Sequence, residues 1–90
     1  MYRKIKRTKL FTKDSTKVKL SDQHYSKFII YVGKLLASEQ LPVEALDHPL
    51  KGDYKGFREL HISGDMLLIY RTTDATLNLV RIGTHSQLFE

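Results

Sequence analysis

Residues Met66–Thr72 constrain the fold more strongly than any other part of this 90-residue chain. Four consecutive positions in this stretch carry large apolar side chains: Leu67, Leu68, Ile69 and Tyr70. Successive side chains of a β-strand point to opposite faces, so a strand of this composition is apolar on both of them. The sequence therefore predicts that this stretch is a central strand of a sheet.

Two further strands are predicted around it. Phe57–Ile62 precedes it, and Thr76–Ile82 follows it and ends at Gly83. The connections are short and carry turn-forming residues, Ser-Gly-Asp at 63–65 and Thr-Asp-Ala at 73–75. The last 35 residues thus indicate an antiparallel three-stranded meander.

The first half of the chain predicts one strand and two helices. Tyr2–Thr8 is a basic strand, and Thr8 can cap a short helix that runs to about Leu20. Ser21 or Asp22 can cap a second helix, which should end near Ser38, before Pro42. Its apolar residues form one stripe at helical spacing: Tyr25, Phe28, Ile29, Val32, Leu35 and Leu36. Residues 41–56 are predicted to form a loop.

The order of elements predicts an α+β fold, β-α-α-β-β-β. We expect a small antiparallel sheet of about four strands, with the two N-terminal helices packed on one face, and a single domain over residues 1–90. The absence of cysteine excludes disulfides, thiolate zinc sites and cysteine nucleophiles. No apolar run is long enough for a membrane span or a signal peptide, so we expect a cytoplasmic location.

Positive charge is concentrated at the N-terminus. Residues 1–20 hold eight Lys or Arg residues and one acid, Asp14, for a net charge of +7, whereas residues 21–90 have a net charge of −2. Such a distribution is typical of a surface that faces a polyanion, with nucleic acid the first candidate. Lys4, Lys6 and Arg7 are the main candidates for contacts with nucleic-acid phosphates.

Alternation along the strands gathers polar groups on one face of the sheet. The apolar Leu60 and Ile62 should meet the helices, which leaves Glu59 and His61 on the uncovered face. If Val80 and Ile82 also join the helix-side core, Arg81 projects on the same side as Glu59 and His61.

Two histidines and an acid flank this face: His48 before the meander, His85 after it, and Asp65 at a turn. An imidazole can move a proton at neutral pH, and RNA carries its own nucleophile in the 2′-hydroxyl. RNA cleavage needs a base, an acid and a cation that stabilises the charged phosphorus centre, and Arg81 suits the last role.

A metal site is the alternative for the same residues. His48, His61, His85 and Asp65 are possible zinc ligands, but no pair among them has the i, i+4 spacing of a helical zinc motif. The sequence therefore predicts no metal and no cofactor.

Four segments together resemble the YafQ branch of the RelE/ParE toxin superfamily. They are LP at 41–42, DHPLKGDYKGFRELHI at 47–62, DMLLIY at 65–70 and LVRIGTHSQLF at 79–89. The resemblance covers residues 41–90 closely, whereas residues 1–40 match only in having a basic strand and two helices.

The resemblance implies a toxin of a bacterial type II toxin–antitoxin pair. Such toxins are metal-independent mRNA interferases that often act on the ribosome, and a cognate antitoxin neutralises them and binds operator DNA for the pair. By motif, the active-site residues are His48, His61, Asp65 and His85, with Arg81 as the phosphate-binding arginine and Phe89 as a base-stacking aromatic.

Within that set, we expect His85 to be the general acid and His61, assisted by Asp65 or Glu59, to be the base. His48 is expected to position the substrate, and Lys51 and Lys55 to contact RNA. Two alternatives remain open: a gyrase-directed toxin of the same fold, which would leave the histidines without a role, and an RNA-binding module without catalysis.

Overall fold

The computed structural model describes residues 2–89 of the chain, which form an α+β fold with five strands and three α-helices. The elements in chain order are β1 Lys4–Arg7, α1 Lys9–Lys17, α2 Asp22–Leu36, β2 His48–Pro49, β3 Arg58–Ser63, β4 Met66–Thr72, β5 Thr76–Thr84 and α3 His85–Phe89. Two short 3₁₀ turns lie at Val43–Ala45 and Gly52–Tyr54. Between residues 2 and 89, no helix is both long and apolar enough to cross a membrane.

The strands form one sheet in the order β1-β5-β4-β3-β2. β4 is its middle strand, which confirms the prediction from Met66–Thr72. Strands β2 to β5 pair antiparallel, but β1 pairs parallel to β5. The predicted α+β fold is confirmed, with two differences in detail: the sheet has five strands rather than about four, and it is mixed rather than antiparallel because β1 is parallel to β5. His48–Pro49 adds a two-residue strand inside the predicted loop. β5 pairs with β1 only after the chain has crossed the whole sheet from β2 to β5.

Both predicted N-terminal helices are present, with the expected caps. The Thr8 hydroxyl accepts a hydrogen bond from the amide of Phe11, and the Ser21 hydroxyl accepts one from the amide of His24. α2 ends at Leu36, two residues before the predicted end, and Ser38 then takes a left-handed backbone conformation with φ of 58°.

The apolar stripe of α2 is only partly buried. Val32 and Leu35 lie in the core, but Tyr25 and Ile29 are 55% and 52% exposed. The stripe therefore contributes only part of its length to the core. A groove of about 760 Å³ separates the first half of α2 from α1 and β1, and Tyr25 lines it.

Apolar side chains cover both faces of the sheet. The larger cluster joins α1 and α2 to one face and includes Leu60, Leu68 and Ile82. A second cluster lies on the other face, where Leu67, Ile69 and Leu88 are buried and four neighbours pack on them: Leu50, Tyr54, Phe57 and Val80. The expectation of an uncovered face was therefore wrong, because the loop before β3 and helix α3 cover part of it.

A β-bulge in β5 determines where Arg81 points. Ile69 pairs with Arg81 and Tyr70 pairs with Leu79, so Val80 is the extra residue. The prediction that Val80 joins Ile82 in the helix-side core was wrong, since Val80 packs in the second cluster. Arg81 still reaches the predicted face, because its partner Ile69 also points there.

Candidate active site

Strand pairing places the central candidates in a single row across the sheet. His48 on β2 is opposite Glu59 on β3, Glu59 is opposite Ile69 on β4, and Ile69 is opposite Arg81 on β5. Neighbouring strands lie about 4.8 Å apart, so Glu59 and Arg81 are separated by about 10 Å along this row. The row therefore has imidazoles near one end and a guanidinium at the other.

The first group of the site is a histidine cluster, formed by His48, Glu59 and His61. The Glu59 side chain is almost fully buried, and its Oε2 lies 2.9 Å from Nε2 of His48 and 3.6 Å from Nε2 of His61. The two rings are more accessible, with side-chain exposures of 47% and 29%. A buried carboxylate thus orients two solvent-facing imidazoles, as acid–base chemistry requires.

His48 has acceptors on both ring nitrogens. Its Nδ1 lies 3.1 Å from the carbonyl oxygen of Pro49, and its Nε2 faces Glu59. A carbonyl and a carboxylate only accept hydrogen bonds, so each ring nitrogen has an acceptor within reach when it carries a proton. These two contacts fix the orientation of the His48 ring.

The loop that leads into β2 is fixed by a salt bridge. The Asp47 carboxylate accepts hydrogen bonds from Nε and Nη2 of Arg58, at 3.2 and 3.1 Å, and from the hydroxyl of Tyr70. Burial and the hydrogen bond to Asp47 raise the pKa of Tyr70 above its ordinary value, so the phenol keeps its proton at neutral pH. These contacts hold Asp47, and through the backbone they place His48.

The second group joins Asp65, His85 and Phe89 at the end of the sheet. The backbone amide of His85 donates to Asp65 Oδ1 at 3.4 Å, a long hydrogen bond. The His85 ring lies 5.0 Å from the Phe89 ring, whose other neighbour is Tyr54 at 5.8 Å. His85 is solvent-exposed, and Phe89 is 38% exposed.

Helix α3 positions this group, and the sequence analysis did not predict it. Its first turn is a capping box in which the Thr84 amide donates to Oε1 of Gln87 and the Gln87 amide donates to Oγ1 of Thr84. The pattern Thr-x-x-Gln at 84–87 was the sequence signal that could have revealed the helix. Gly83 packs under it, since a Cβ there would meet Gln87 Oε1 at 2.9 Å.

Arg81 forms the third group together with Asp14 of α1. Its Nε and Nη2 atoms each donate to a different carboxylate oxygen of Asp14, both at 2.8 Å. Asp14 is 8% exposed and also accepts a 3.2 Å hydrogen bond from the amide of Ile82. Burial alone would raise the pKa of Asp14, but the hydrogen bonds from Arg81 and Ile82 outweigh it, so the pKa is lowered.

Sequence reasoning missed Asp14 as a partner of Arg81. The available signal was its isolation as the one acid among the first 20 residues. The hydrogen bonds to Asp14 raise the pKa of Arg81 further above its ordinary value, despite its burial. Arg81 is therefore a permanently charged group with a fixed orientation.

The predicted RNA-binding residues occupy two separate places. Lys4, Lys6 and Arg7 are exposed on β1, at the opposite edge of the sheet from β2. Lys51 and Lys55 are exposed in the loop before β3, and Lys51 lines an open groove of about 600 Å³. The other lining residues of that groove are Asp53, Tyr54, Leu88 and Phe89.

The histidine cluster also has the donor set of a metal site. One ligand atom from each of His48, Glu59 and His61 lies within 4.8 Å of the others. Two imidazoles and a carboxylate are ordinary ligands for zinc or copper. This set differs from the zinc set considered in the sequence analysis, because it includes Glu59 and leaves out Asp65 and His85.

Comparisons with known proteins agree with this architecture. Residues 3–90 match the family model described as the bacterial toxin of a type II toxin–antitoxin system, YafQ. The mRNA interferase toxin YafQ of Escherichia coli K12 is 40% identical over 79 residues, which cover 83% of this chain and 86% of that protein.

Two solved structures show the same fold. In the Escherichia coli DinJ–YafQ toxin–antitoxin complex, the matching chain is 33% identical with a TM-score of 0.83, and the match covers all of both chains. A metal-bound toxin from Helicobacter pylori is 38% identical with a TM-score of 0.82, and the match covers 99% of this chain and 100% of that one.

Proposed function

This chain belongs to the YafQ family of bacterial type II toxins, and from that premise we propose that it is an mRNA interferase, an endoribonuclease that cleaves mRNA and so inhibits translation. The observation that carries the proposal is the histidine cluster, which lies on the same face of the sheet as Arg81 and whose Glu59 is in the same row. Ribosomes and mRNA are the proposed targets, which would place its action in the cytoplasm.

The proposed reaction uses the RNA's own 2′-hydroxyl as the nucleophile. His61 accepts the proton of that hydroxyl while the hydroxyl oxygen forms a bond to the adjacent phosphorus. The bond from phosphorus to the 5′-oxygen then breaks, and His85 protonates the departing oxygen. The products are a 2′,3′-cyclic phosphate and a 5′-hydroxyl, and the reaction needs no water molecule and no metal ion.

The remaining residues assist these two groups. Glu59 orients His61 and His48, which supports Glu59 rather than Asp65 as the partner of the base. His48 and Arg81 would stabilise the negative charge that develops on the phosphate oxygens. Asp65 accepts a hydrogen bond from the backbone amide of His85, and Phe89 would stack on an unpaired base.

RNA would reach this site across a positively charged surface. Lys51 lines the groove that contains Phe89, and Lys55 is exposed in the same loop; both would contact phosphates close to the cleaved bond. Lys4, Lys6 and Arg7 lie at the far edge of the sheet and would contact phosphates of a more distant segment or of the ribosome.

The family premise also gives the toxin a cognate antitoxin, as in the DinJ–YafQ complexes. We propose that an acidic amphipathic helix of that antitoxin occupies the 760 Å³ groove between α1 and α2. The groove has an apolar lining that includes Phe11, Val18 and Phe28, and the basic Arg7 lies at its rim. Operator DNA would be bound through the antitoxin.

The activity is tested with ribosomes stalled on a defined mRNA and cleavage mapped by primer extension. His85→Ala should lower the cleavage rate by about 10²-fold or more, because the leaving oxygen loses its acid. His24→Ala is the matched control, since His24 lies on α2, away from the site. A 2′-deoxy substitution at the cleaved position should stop the reaction in the parent protein.

Equal rates for His85→Ala and the parent would contradict the assigned role of His85. Cleavage of the 2′-deoxy substrate would contradict the proposed nucleophile. If the toxin cuts no RNA but traps gyrase on DNA, the gyrase-directed alternative replaces this proposal.

A further inference from the structure

The guanidinium of Arg81 is bound on one side by Asp14 of α1 through two 2.8 Å hydrogen bonds. We propose that Asp14 is a positioning residue for RNA cleavage, which holds Arg81 so that its remaining N–H donors face the scissile phosphate. This inference rests on the proposed function, since it assigns a role in that reaction. It extends the site to an element, α1, that carries none of the acid or base candidates.

The edge of β5 explains why an acid is needed at this place. β1 pairs with β5 from Thr76 to Leu79, and among residues 2–89 no strand pairs with that edge beyond Leu79. α1 covers that part of the edge instead. The Thr8 hydroxyl donates to the carbonyl of Val80 at 2.7 Å, and Asp14 accepts from the amide of Ile82. Asp14 thus fixes the backbone on one side of Arg81 and the side chain of Arg81 itself.

A flexible arginine would otherwise be poorly placed for this role. The β-bulge at Val80 puts Arg81 on the same face as Glu59, but a long side chain there has many rotamers. The paired guanidinium has a side-chain exposure of only 19%, and Tyr54 lies near it from the second cluster. Two of its five N–H groups bind Asp14, which leaves three that can reach Tyr54 or a phosphate.

The opposite role for Asp14 is chemically possible and predicts the opposite result. A carboxylate could compete with the phosphate for Arg81, in which case RNA would have to displace it. The buried position of Asp14 and its additional bond to the Ile82 amide favour a permanent contact. Lys17, one turn further along α1, also contributes to the lowered pKa of Asp14, so two cations surround the one acid.

The test uses single-turnover cleavage of ribosome-bound mRNA at increasing toxin concentration. Asp14→Asn retains an oxygen for the Ile82 amide but loses the second acceptor for Arg81. It should lower the maximal rate by about tenfold to hundredfold, as expected for a displaced catalytic group, and change the half-saturating concentration less. Asp74→Asn makes the same chemical change in the exposed β4–β5 turn and should leave both values unchanged.

The decisive measurement is the same substitution in an Arg81→Ala background. A residue that acts only through Arg81 should have no further effect on the maximal rate once Arg81 is removed, whereas a structural residue should still lower it. Asp14→Glu, which keeps both acceptors, should recover part of the rate that Asp14→Asn loses. Thermal unfolding of each variant sets an assay temperature at which all of them are folded.

Three outcomes would overturn the proposal while the parent still cuts RNA. The first is an unchanged maximal rate in Asp14→Asn. The second is an increased maximal rate in that variant, which competition between Asp14 and the phosphate predicts. The third is that Asp14→Asn lowers the maximal rate by the same factor in the Arg81→Ala background as in the parent. If the parent itself cuts no RNA, the proposed function fails instead.

Discussion

Each end of the candidate site pairs an acid with basic side chains, but the basic groups differ in kind. At the β2–β3 end, Glu59 holds His48 and His61, whose imidazole rings can give or take a proton. At the β5 end, Asp14 holds Arg81, whose guanidinium stays charged throughout the physiological range. The same kind of contact therefore serves two purposes: proton transfer at one end and a constant positive charge at the other.

The difference extends to how the pairs are exposed. Side-chain exposure falls from 47% for His48 to 29% for His61 and 19% for Arg81. Groups that exchange protons with a substrate need an accessible ring nitrogen, whereas Arg81 needs only its remaining N–H donors to be accessible to the phosphate. Variants that alter one end at a time can test this division.

Glu59→Gln should produce the largest change, because one substitution disturbs both imidazoles. The amide keeps the shape of the side chain but loses the negative charge that both rings face. We expect the cleavage rate to fall by about 10²-fold or more, the magnitude associated with an acid–base group. Single-turnover cleavage of ribosome-bound mRNA measures it.

Glu39→Gln is the matched control for Glu59→Gln. Glu39 follows α2 and lies 3.9 Å from Lys34 in an exposed ion pair, so its loss should leave cleavage unchanged. A Glu59→Gln variant that is folded and cleaves RNA at the parental rate would contradict the role given to this end of the site, because the histidines would then act without the negative charge of Glu59.

Local sequence patterns predicted much of the fold and most of the β2–β3 end of the site. The apolar run in β4 fixed the centre of the sheet, and alternation along β3 placed Glu59 and His61 on one face. The Thr8 and Ser21 caps were also visible from sequence. These features depend on neighbours within a few positions, which is the range that periodicity describes.

The β5 end depends on contacts between distant residues, so the sequence did not reveal it. Nothing in the four residues of β1 specifies a parallel pairing with β5, and a one-residue bulge at Val80 reverses the alternation that follows it. Asp14 and Arg81 are 67 positions apart. The Arg81 side chain was predicted on the correct face, but from a strand register that the bulge changes.

The free energy of unfolding should depend on pH through Asp14, at the β5 end of the site. Hydrogen bonds from Arg81 and Ile82 lower the pKa of Asp14 below its ordinary value of about 3.9. The folded state therefore holds Asp14 ionised more readily than the unfolded chain does. Its contribution is fully present above about pH 4 and is lost as the pH falls through the lowered value.

Urea unfolding of the parent and of Asp14→Asn measures this contribution. At pH 6 the variant should be less stable by about 1–3 kcal/mol, the range for hydrogen bonds to a charged group. The difference between the two proteins should shrink as the pH is lowered below 4. A difference that stays constant from pH 6 to pH 2 would show that the charge of Asp14 does not stabilise the fold.

The smallest effects should come from the lysines, and two matched pairs compare the two edges of the sheet. Lys51→Gln/Lys55→Gln and Lys4→Gln/Lys6→Gln each remove two charges from exposed positions. For single-stranded RNA, two lost phosphate contacts should reduce the slope of log affinity against log salt by about 1.4. We expect this reduction in both double variants, because both pairs are proposed to contact RNA.

Antitoxin binding should then distinguish the two pairs. Lys4 and Lys6 do not line the groove proposed for the acidic antitoxin helix, but they lie on the same strand as Arg7, which does. Their positive charge is therefore close to that helix, and only Lys4→Gln/Lys6→Gln should also weaken the complex. Titration of each variant with the cognate antitoxin, at two salt concentrations, gives the comparison. Equal weakening by the Lys51→Gln/Lys55→Gln variant would mean that the antitoxin extends to the β2–β3 end and covers the catalytic groups directly. If the slope of log RNA affinity against log salt in Lys4→Gln/Lys6→Gln equals that of the parent, these lysines do not contact RNA. The β1 edge would then serve antitoxin binding and not RNA binding.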